Sequence, residues 1–159
     1  MTDIPHELSV TRFIKAAPET VWKIYTERMQ DWFCPRPWTT PVVEYDLQPG
    51  GRANVVLQSP EGEQHAYKGV VLHVEPGRRL VTTGAVTEGW VPQAGDMAFV
   101  RIDTFEPEGE GTRYTARALH FDEEAVKKHQ EMGFEQGWGM CAEQLAGIAE
   151  AEGGRAEAA

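Results

Sequence analysis

Residues 122–151, DEEAVKKHQEMGFEQGWGMCAEQLAGIAEA, carry the pattern that decides the fold. Asp122 is a suitable N-cap for a helix, and the two glutamates that follow it complement the positive end of the helix dipole. Downstream, apolar residues recur at steps of four, three, four and three, which places them on one helical face. These residues are Phe134, Trp138, Cys141, Leu145 and Ile148. We therefore predict one long helix, from about Asp122 to Ala151, with Phe134, Trp138 and Cys141 buried against a sheet.

Two glycines, Gly133 and Gly137, lie four residues apart within this predicted helix. A glycine in a helix interior costs about 1 kcal/mol relative to alanine, so a pair of them needs a reason. Either the backbone packs closely against the sheet, or space stays open for a ligand over the helix. The two explanations are compatible.

The preceding sequence reads as short strands separated by Gly/Pro turns, interrupted once by a helix that begins near Pro18. The predicted strands cover residues 7–15, 42–47, 52–58, 64–75, 78–87, 97–106 and 112–121, with a bulge near Gly69. Short turns make sequential strands neighbours. The fold class is therefore α+β: a curved antiparallel β-sheet of about six to seven strands wrapped around a long C-terminal α-helix, with one or two short helices after the first strand.

The last predicted strand suggests a cavity between the sheet and the helix. Tyr114, Ala116, Ala118 and His120 alternate along one face, and the two alanines leave volume unfilled there. Aromatic residues also cluster in connecting segments, where Trp32, Phe33 and Trp38 lie in one loop and Trp90 in another. These side chains either plug one end of the core or form the mouth of a pocket.

Composition excludes several classes of protein. The 159 residues suggest a single domain, 1–151, followed by a disordered tail, 152–159. The formal net charge of −10 disfavours binding to nucleic acid or to anionic lipid. No apolar run is long enough to span a bilayer, and residues 1–10 lack the pattern of a signal peptide, so we expect no membrane insertion and a cytoplasmic location. No disulfide is expected between Cys34, which could be exposed, and Cys141, a core residue.

The sequence offers no catalytic or metal-binding constellation. The histidines form no metal-ligand spacing, although His120 and His129 could approach each other near the start of the helix, and no nucleophile elbow or phosphate-binding loop is present. We therefore predict no catalytic residue, no metal and no cofactor. Arg12 and Arg101 lie within predicted strands and are expected to point outward, whereas an inward arginine could bind a ligand carboxylate.

Four motifs in the right order resemble the START-like, or SRPBCC, superfamily. Residues 10–33, VTRFIKAAPETVWKIYTERMQDWF, resemble its opening strand and "APxxVW" segment. DLQPGGRANV (46–55) resembles a "D-x-x-P-G-G" turn, and GVVLHVEPGRRLVTT (69–83) resembles a characteristic hairpin. GTRYTARALH and HQEMGFEQGW resemble the closing strand and helix. The match covers about residues 7–150 and is closest to the subgroup similar to the activator of heat-shock protein 90 ATPase.

The resemblance implies a helix-grip fold with a hydrophobic cavity, but such a fold serves many functions. We predict a non-catalytic protein that binds a small apolar or amphipathic molecule, as a monomer or homodimer. The alternatives are a cyclase- or aromatase-type enzyme, which would need a polar cluster in the cavity, and a co-chaperone-like module with a protein partner. The expected ligand-binding residues are Trp32, Phe33, Trp38, Tyr67, Trp90, Tyr114, His120, Phe134, Trp138 and Cys141.

Overall fold

The computed structural model describes residues 6–158, so the predictions made for residues 1–5 and 159 lie outside the described part of the chain. The elements, in order, are β1 (His6–Ile14), α1 (Pro18–Glu27), α2 (Met29–Trp32), β2 (Thr39–Tyr45), β3 (Ala53–Gln58), β4 (Gln64–Tyr67), β5 (Val70–Glu75), β6 (Arg79–Thr83), β7 (Val86–Thr87), β8 (Val91–Pro92), β9 (Val100–Glu108), β10 (Gly111–His120), α3 (Glu123–Glu131) and α4 (Phe134–Ala158).

The predicted α+β helix-grip architecture is confirmed: antiparallel strands and a long C-terminal helix form the two sides of the core. The large sheet has five strands in the order β1-β10-β9-β6-β5, and a second sheet has the order β2-β3-β4. A small hairpin, β7-β8, lies outside both sheets. In the described part of the chain, no helix is long and apolar enough to cross a membrane.

Two predicted strands are each divided in the structure, which raises the strand count above the predicted six to seven. The segment 64–75 breaks at Gly69 and passes from one sheet to the other, and the segment 78–87 breaks at Gly84. At both glycines a Cβ atom would collide with a backbone carbonyl, of Thr83 and of Met97 respectively. These close backbone approaches interrupt the ladders, and they could not be read from hydrophobic alternation.

The prediction of one continuous C-terminal helix is wrong at its beginning. Gly133 has a φ of +90°, a left-handed conformation that ends α3 and starts α4, so this glycine is not in a helix interior. Asp122 caps α3 as predicted, its carboxylate accepting a hydrogen bond from the backbone N–H of Ala125 (2.8 Å).

The C-terminal end of α4 also differs from the prediction. The helix continues to Ala158, where the sequence suggested a disordered tail after Ala151. A Cβ atom at Gly153 would lie 3.4 Å from the Cβ atom of Ala16, so α4 passes close to the segment after β1 at this point.

Helix α4 packs on the large sheet through a face that changes character along its length. Its middle part presents Leu145, Ala146 and Ala149, all fully buried, and the two alanines allow close approach to the sheet. Phe134 is buried at the other end, whereas Trp138 and Cys141 are half-buried. The predicted inner face of β10 is confirmed, since Tyr114, Ala116, Ala118 and His120 are all buried. The half-buried segment of α4 marks where the helix and the sheets separate.

Candidate functional site

A cavity of about 220 Å³ lies where α4 separates from the two sheets. Helix α4 forms one wall, the three-stranded sheet forms the second, and β6 and β9 of the large sheet form the third. Most of its lining surface is apolar, and the exposed residue Lys68 stands at its edge. The lining comprises Phe33, Cys34, Pro35, Tyr45, Ala53, Val55, Leu57, Tyr67, Lys68, Gly69, Thr82, Thr83, Gly84, Met97, Phe99, Arg101, Gly137, Trp138 and Cys141.

Arg101, which lines this cavity, forms an ion pair with Asp103 of the same strand, β9. Arg101 Nε donates to Asp103 Oδ2 (2.9 Å), and Arg101 Nη2 donates to Asp103 Oδ1 (3.2 Å). Asp103 is completely buried, and the side chain of Arg101 is 15% exposed. Arg101 therefore points inward, contrary to the outward orientation that the sequence favoured. Arg12 is only partly exposed and forms an ion pair with Glu143 on α4 (2.6 Å).

The alanines of β10 explain how this ion pair fits inside the domain. In the β9–β10 ladder, Arg101 lies opposite Ala118, and Asp103 lies opposite Ala116. Residues directly opposite on antiparallel strands share a face, so the missing side-chain volume accommodates the guanidinium and the carboxylate. The space that the alanines were predicted to leave empty is therefore partly occupied by charged groups.

Two tyrosines complete the coordination of Asp103. The hydroxyl of Tyr25 donates to Oδ2 (2.9 Å), and the hydroxyl of Tyr114 donates to Oδ1 (2.6 Å). Burial raises the pKa of both tyrosines well above the usual value, so both are neutral donors at pH 7. Burial disfavours the charged form of Arg101, but the charge of Asp103 and the tyrosine hydroxyls outweigh it and raise the Arg101 pKa. The cluster is thus an ion pair whose carboxylate is saturated with donors.

Aromatic rings fix the guanidinium in position. The Arg101 guanidinium carbon lies 4.3 Å from the centroid of the Trp138 ring and 5.2 Å from that of Phe33. Both distances are within the range of cation–π interactions. Trp138 packs in turn on Phe134, with ring centroids 4.5 Å apart. The arginine is therefore held by α4 and by the segment after α2 as well as by its own strand.

Gln144 of α4 attaches the segment after α2, residues 33–36, to the helix. Its Nε2 donates to the carbonyl oxygens of Trp32 (3.0 Å) and Cys34 (2.8 Å), and its Oε1 accepts from the backbone N–H of Arg36 (3.1 Å). This amide consequently positions the part of the cavity wall that includes Phe33. The sequence analysis did not single out Gln144, because an amide on a helix gives no signal of its own.

Both cysteines line the cavity as free thiols. Cys34 is buried, so the expectation that it could be exposed is wrong; its Sγ accepts a hydrogen bond from the Thr40 hydroxyl (3.1 Å). Burial raises the pKa of Cys34, and it raises the pKa of Cys141 to about 12. Because the thiolate is the reactive form, these thiols are poor nucleophiles at neutral pH.

Two histidines, His120 and His129, pack against Phe99, which lines the cavity. His120 Nε2 and His129 Nδ1 are 2.8 Å apart, so the two histidines do approach each other; His120 ends β10 and His129 lies in the last turn of α3. The Phe99 ring contacts both imidazoles, and His129 also contacts Trp138. Burial, followed by the proximity of His120 and of Arg101, lowers the pKa of His129 to about 4. Both histidines are therefore neutral at pH 7, and His129 also lines a second cavity, beneath α3.

The structure brings only some of the expected ligand-binding residues to the cavity. Phe33, Tyr67, Trp138 and Cys141 line it. Trp32, Tyr114 and Phe134 lie in the core, and His120 is in the histidine pair. Trp38 stacks on His65 at another surface, and Trp90 is 64% exposed and lies against Gly50. Neither of these two tryptophans lines the cavity, so they do not form its mouth. Among the described side chains, those of residues 6–154, no group of three or more His, Cys, Asp or Glu residues is placed to hold a metal ion.

Sequence reasoning also missed Asp103, and the β-hairpin register could have found it. Both faces of β9 carry apolar residues, so alternation alone does not say which face is buried. The short turn between β9 and β10 pairs Glu108 with Gly111, and this register places Asp103 opposite Ala116. Because Ala116 was already assigned to the inner face, the pairing would have placed Arg101 and Asp103 there too.

Comparisons with known proteins agree with this architecture. A protein from Nitrosomonas europaea of known crystal structure is 33% identical, with 95% of this chain and 98% of that chain covered and a TM-score of 0.88. The AHSA1 protein from Silicibacter pomeroyi is 21% identical, with 92% and 99% covered and a TM-score of 0.67. The AHSA1-like protein from Aeromonas hydrophila is 20% identical, with 92% and 94% covered and a TM-score of 0.71. The last two likenesses concern the fold alone. Comparison with curated proteins gives no match.

The family assignment comes from the sequence match together with the first of these structures. The family model described as activator of Hsp90 ATPase homolog 1-like protein matches residues 15–150, from the end of β1 into α4. This span contains the Arg101–Asp103 pair and the whole cavity lining. The chain belongs to the activator of Hsp90 ATPase homolog 1-like family.

Proposed function

We propose that this protein binds a small apolar or amphipathic molecule in the cavity beneath α4 and does not transform it chemically. The observation that carries the proposal is a largely apolar cavity into which one positioned polar side chain, Arg101, projects. Small-molecule sites are usually apolar concavities in which a few fixed polar groups set the orientation of the ligand.

The size of the cavity limits the ligand. An engineered cavity of about 150 Å³ binds benzene. A volume of about 220 Å³ therefore suits a molecule with one or two rings, rather than a long lipid chain. A bulkier or longer ligand would need the segment around Phe33 to move away from α4.

The chemistry of the lining favours binding over catalysis. A general acid or base works best with a pKa near the working pH. Burial instead raises the pKa of Tyr45 to about 12 and that of Cys141 to about 12, and Asp103 is enclosed by its donors. The cyclase-type alternative would need a group that exchanges protons near neutrality, and these groups do not meet that need.

The direct test is saturable binding of a neutral, environment-sensitive naphthylamine dye, measured by fluorescence. Gly137 lines the cavity, and a Cβ atom there would meet only Pro35, at 3.8 Å. Gly137→Leu should therefore fill the cavity and weaken dye binding at least tenfold. Gly147→Leu is the matched control, because Gly147 lies in the same helix with open space around it. Absence of saturable binding to the wild-type protein, or equal weakening by both variants, would contradict the proposal.

A further inference from the structure

The hydrogen-bonding capacity of Arg101 is only partly used. Nε and Nη2 donate to Asp103, and Nη2 also lies 3.5 Å from the Tyr114 hydroxyl. Nη1 has no hydrogen-bond partner among the side chains that the structure describes, those of residues 6–154, and no side-chain nitrogen or oxygen in that range is both sealed from solvent and unpaired. Because Arg101 lines the cavity, the N–H groups of Nη1 are accessible from within it.

The direction of these free donors is fixed. A guanidinium donates in its own plane. The rings of Trp138 and Phe33 lie over the guanidinium, and Asp103 occupies the edge formed by Nε and Nη2. The edge at Nη1 is therefore the one that a ligand atom can approach. Tyr45 lines the same cavity, and its hydroxyl likewise has no hydrogen-bond partner in the described part of the chain, so it offers a second donor.

The charge of this site is already balanced. Asp103 neutralises Arg101 at direct hydrogen-bond distance, and Tyr25 and Tyr114 are neutral. A ligand carboxylate at Nη1 would place a second negative charge in an apolar cavity against a single positive one, and burying an uncompensated charge is costly. The other cationic residue of the lining, Lys68, is exposed, so an ion pair with it would contribute little.

Tyr67, Thr82 and Thr83 place hydroxyl-bearing side chains in the lining, but another part of the wall is hydrocarbon. Val55, Leu57 and Met97 face the cavity with Phe99. A polar substituent on that side of a ligand would lose its hydration without gaining a partner.

We infer that the ligand is an uncharged one- or two-ring molecule whose carbonyl-type oxygen accepts a hydrogen bond from Arg101 Nη1, and that Asp103 excludes carboxylates from this position. The inference rests on the proposed function and specifies the class of ligand. It assigns Arg101 as the orienting donor and Asp103 as the residue that sets selectivity for neutral ligands.

Three probes of matched shape test the inference: 2-acetylnaphthalene, 2-isopropenylnaphthalene and 2-naphthoate, with dissociation constants measured at pH 7.5 by displacement of the neutral dye. We expect the ketone to bind about tenfold or more tightly than the hydrocarbon, since a charged donor gains a neutral acceptor. We expect the carboxylate to bind more weakly than the ketone. Equal affinities of ketone and hydrocarbon, or tightest binding of the carboxylate, would overturn the inference.

The variant Asp103→Asn tests the charge argument separately. It keeps the side-chain shape but leaves Arg101 uncompensated, so the preference should invert and 2-naphthoate should bind at least tenfold more tightly than to the wild-type protein. Glu106→Gln is the control, because it makes the same charge change at an exposed position of β9 and should leave the order of affinities unchanged. If Asp103→Asn does not fold, the affinities of the wild-type protein for the three probes test the inference by themselves.

Failure of the proposed function and failure of this inference give different results. If the dye and all three probes fail to bind the folded protein, the proposed function is wrong and the inference falls with it. If the hydrocarbon and the ketone bind equally well, the cavity binds small molecules but Arg101 does not select them.

Discussion

Replacement of Asp103 by alanine should be among the most destabilising single changes in this domain. The carboxylate is completely buried and accepts hydrogen bonds from Arg101, Tyr25 and Tyr114 at 2.6–3.2 Å. Asp103→Ala removes every one of these acceptors at once. It leaves a guanidinium without its counterion and two buried hydroxyls without partners.

The expected loss follows from these contacts. Breaking a buried ion pair by removing one partner costs about 3–5 kcal/mol. Each buried donor left unpaired adds about 1–3 kcal/mol, but the adjoining cavity lets water reach part of the cluster and reduces this addition. We therefore expect Asp103→Ala to lower the free energy of unfolding by about 4–5 kcal/mol, a large part of the about 5–15 kcal/mol that stabilises a typical domain.

Equilibrium unfolding in urea at pH 7, followed by circular dichroism, measures this loss. Glu106→Ala, at an exposed position of the same strand, should change the unfolding free energy by no more than about 0.5 kcal/mol. The double variant Arg101→Met/Asp103→Leu should lose less than the sum of its single variants, because it removes both charges together. A loss below about 1 kcal/mol for Asp103→Ala, or strict additivity in the double variant, would refute the reasoning.

Three further changes test other parts of the structure. Gly133→Ala should lower the free energy of unfolding by about 1–2 kcal/mol, because φ at Gly133 is +90°. Gly147→Ala, inside α4 with open space around it, should instead raise the free energy of unfolding by about 0.5–1 kcal/mol. If urea titrations show that both variants change the free energy in the same direction, the helix break at Gly133 is contradicted. Gln144→Leu removes three hydrogen bonds and should speed amide hydrogen exchange in the segment after α2. Unchanged exchange there would show that Gln144 does not hold this segment against α4. The His129 pKa is lowered to about 4, below the usual value near 6.5, so the folded state binds fewer protons than the unfolded state in this window; stability present above about pH 6.5 is lost as the pH falls toward 4. His129→Gln should flatten this dependence and the exposed control His73→Gln should not, so identical pH profiles for wild type and His129→Gln would disprove the burial argument.

Local pattern was a good guide where one residue type has one structural consequence. The apolar steps from Phe134 predicted the inward face of α4, although Trp138 and Cys141 on it are half-buried, and the alternation around Ala116 predicted the inner face of β10. The Asp122 cap was also predicted correctly. In each case the signal comes from residues adjacent along the chain, where helical and strand periodicities act.

Local pattern failed at the break between α3 and α4 and where distant segments meet. Gly133 was placed inside a helix because the Asp122 cap and the apolar steps after Phe134 were assigned to one continuous helix, but its left-handed backbone begins a new helix. Trp38 and Trp90 were expected at the mouth of the cavity because both are aromatic residues in loops. The paths of those loops carry them elsewhere, and of Trp32, Phe33, Trp38 and Trp90 it is Phe33 that lines the cavity.

The sequence by itself determined the fold class, the inner face of β10 and the family resemblance, because these depend on periodicity, turn residues and motif order. Only the tertiary structure decided the character of the cavity. The β9–β10 register turns Arg101 and Asp103 inward opposite two alanines, and α1 and β10 bring Tyr25 and Tyr114 to the same carboxylate. The buried state of a charged side chain depends on partners far away in sequence, which supply the compensating charge and hydrogen bonds.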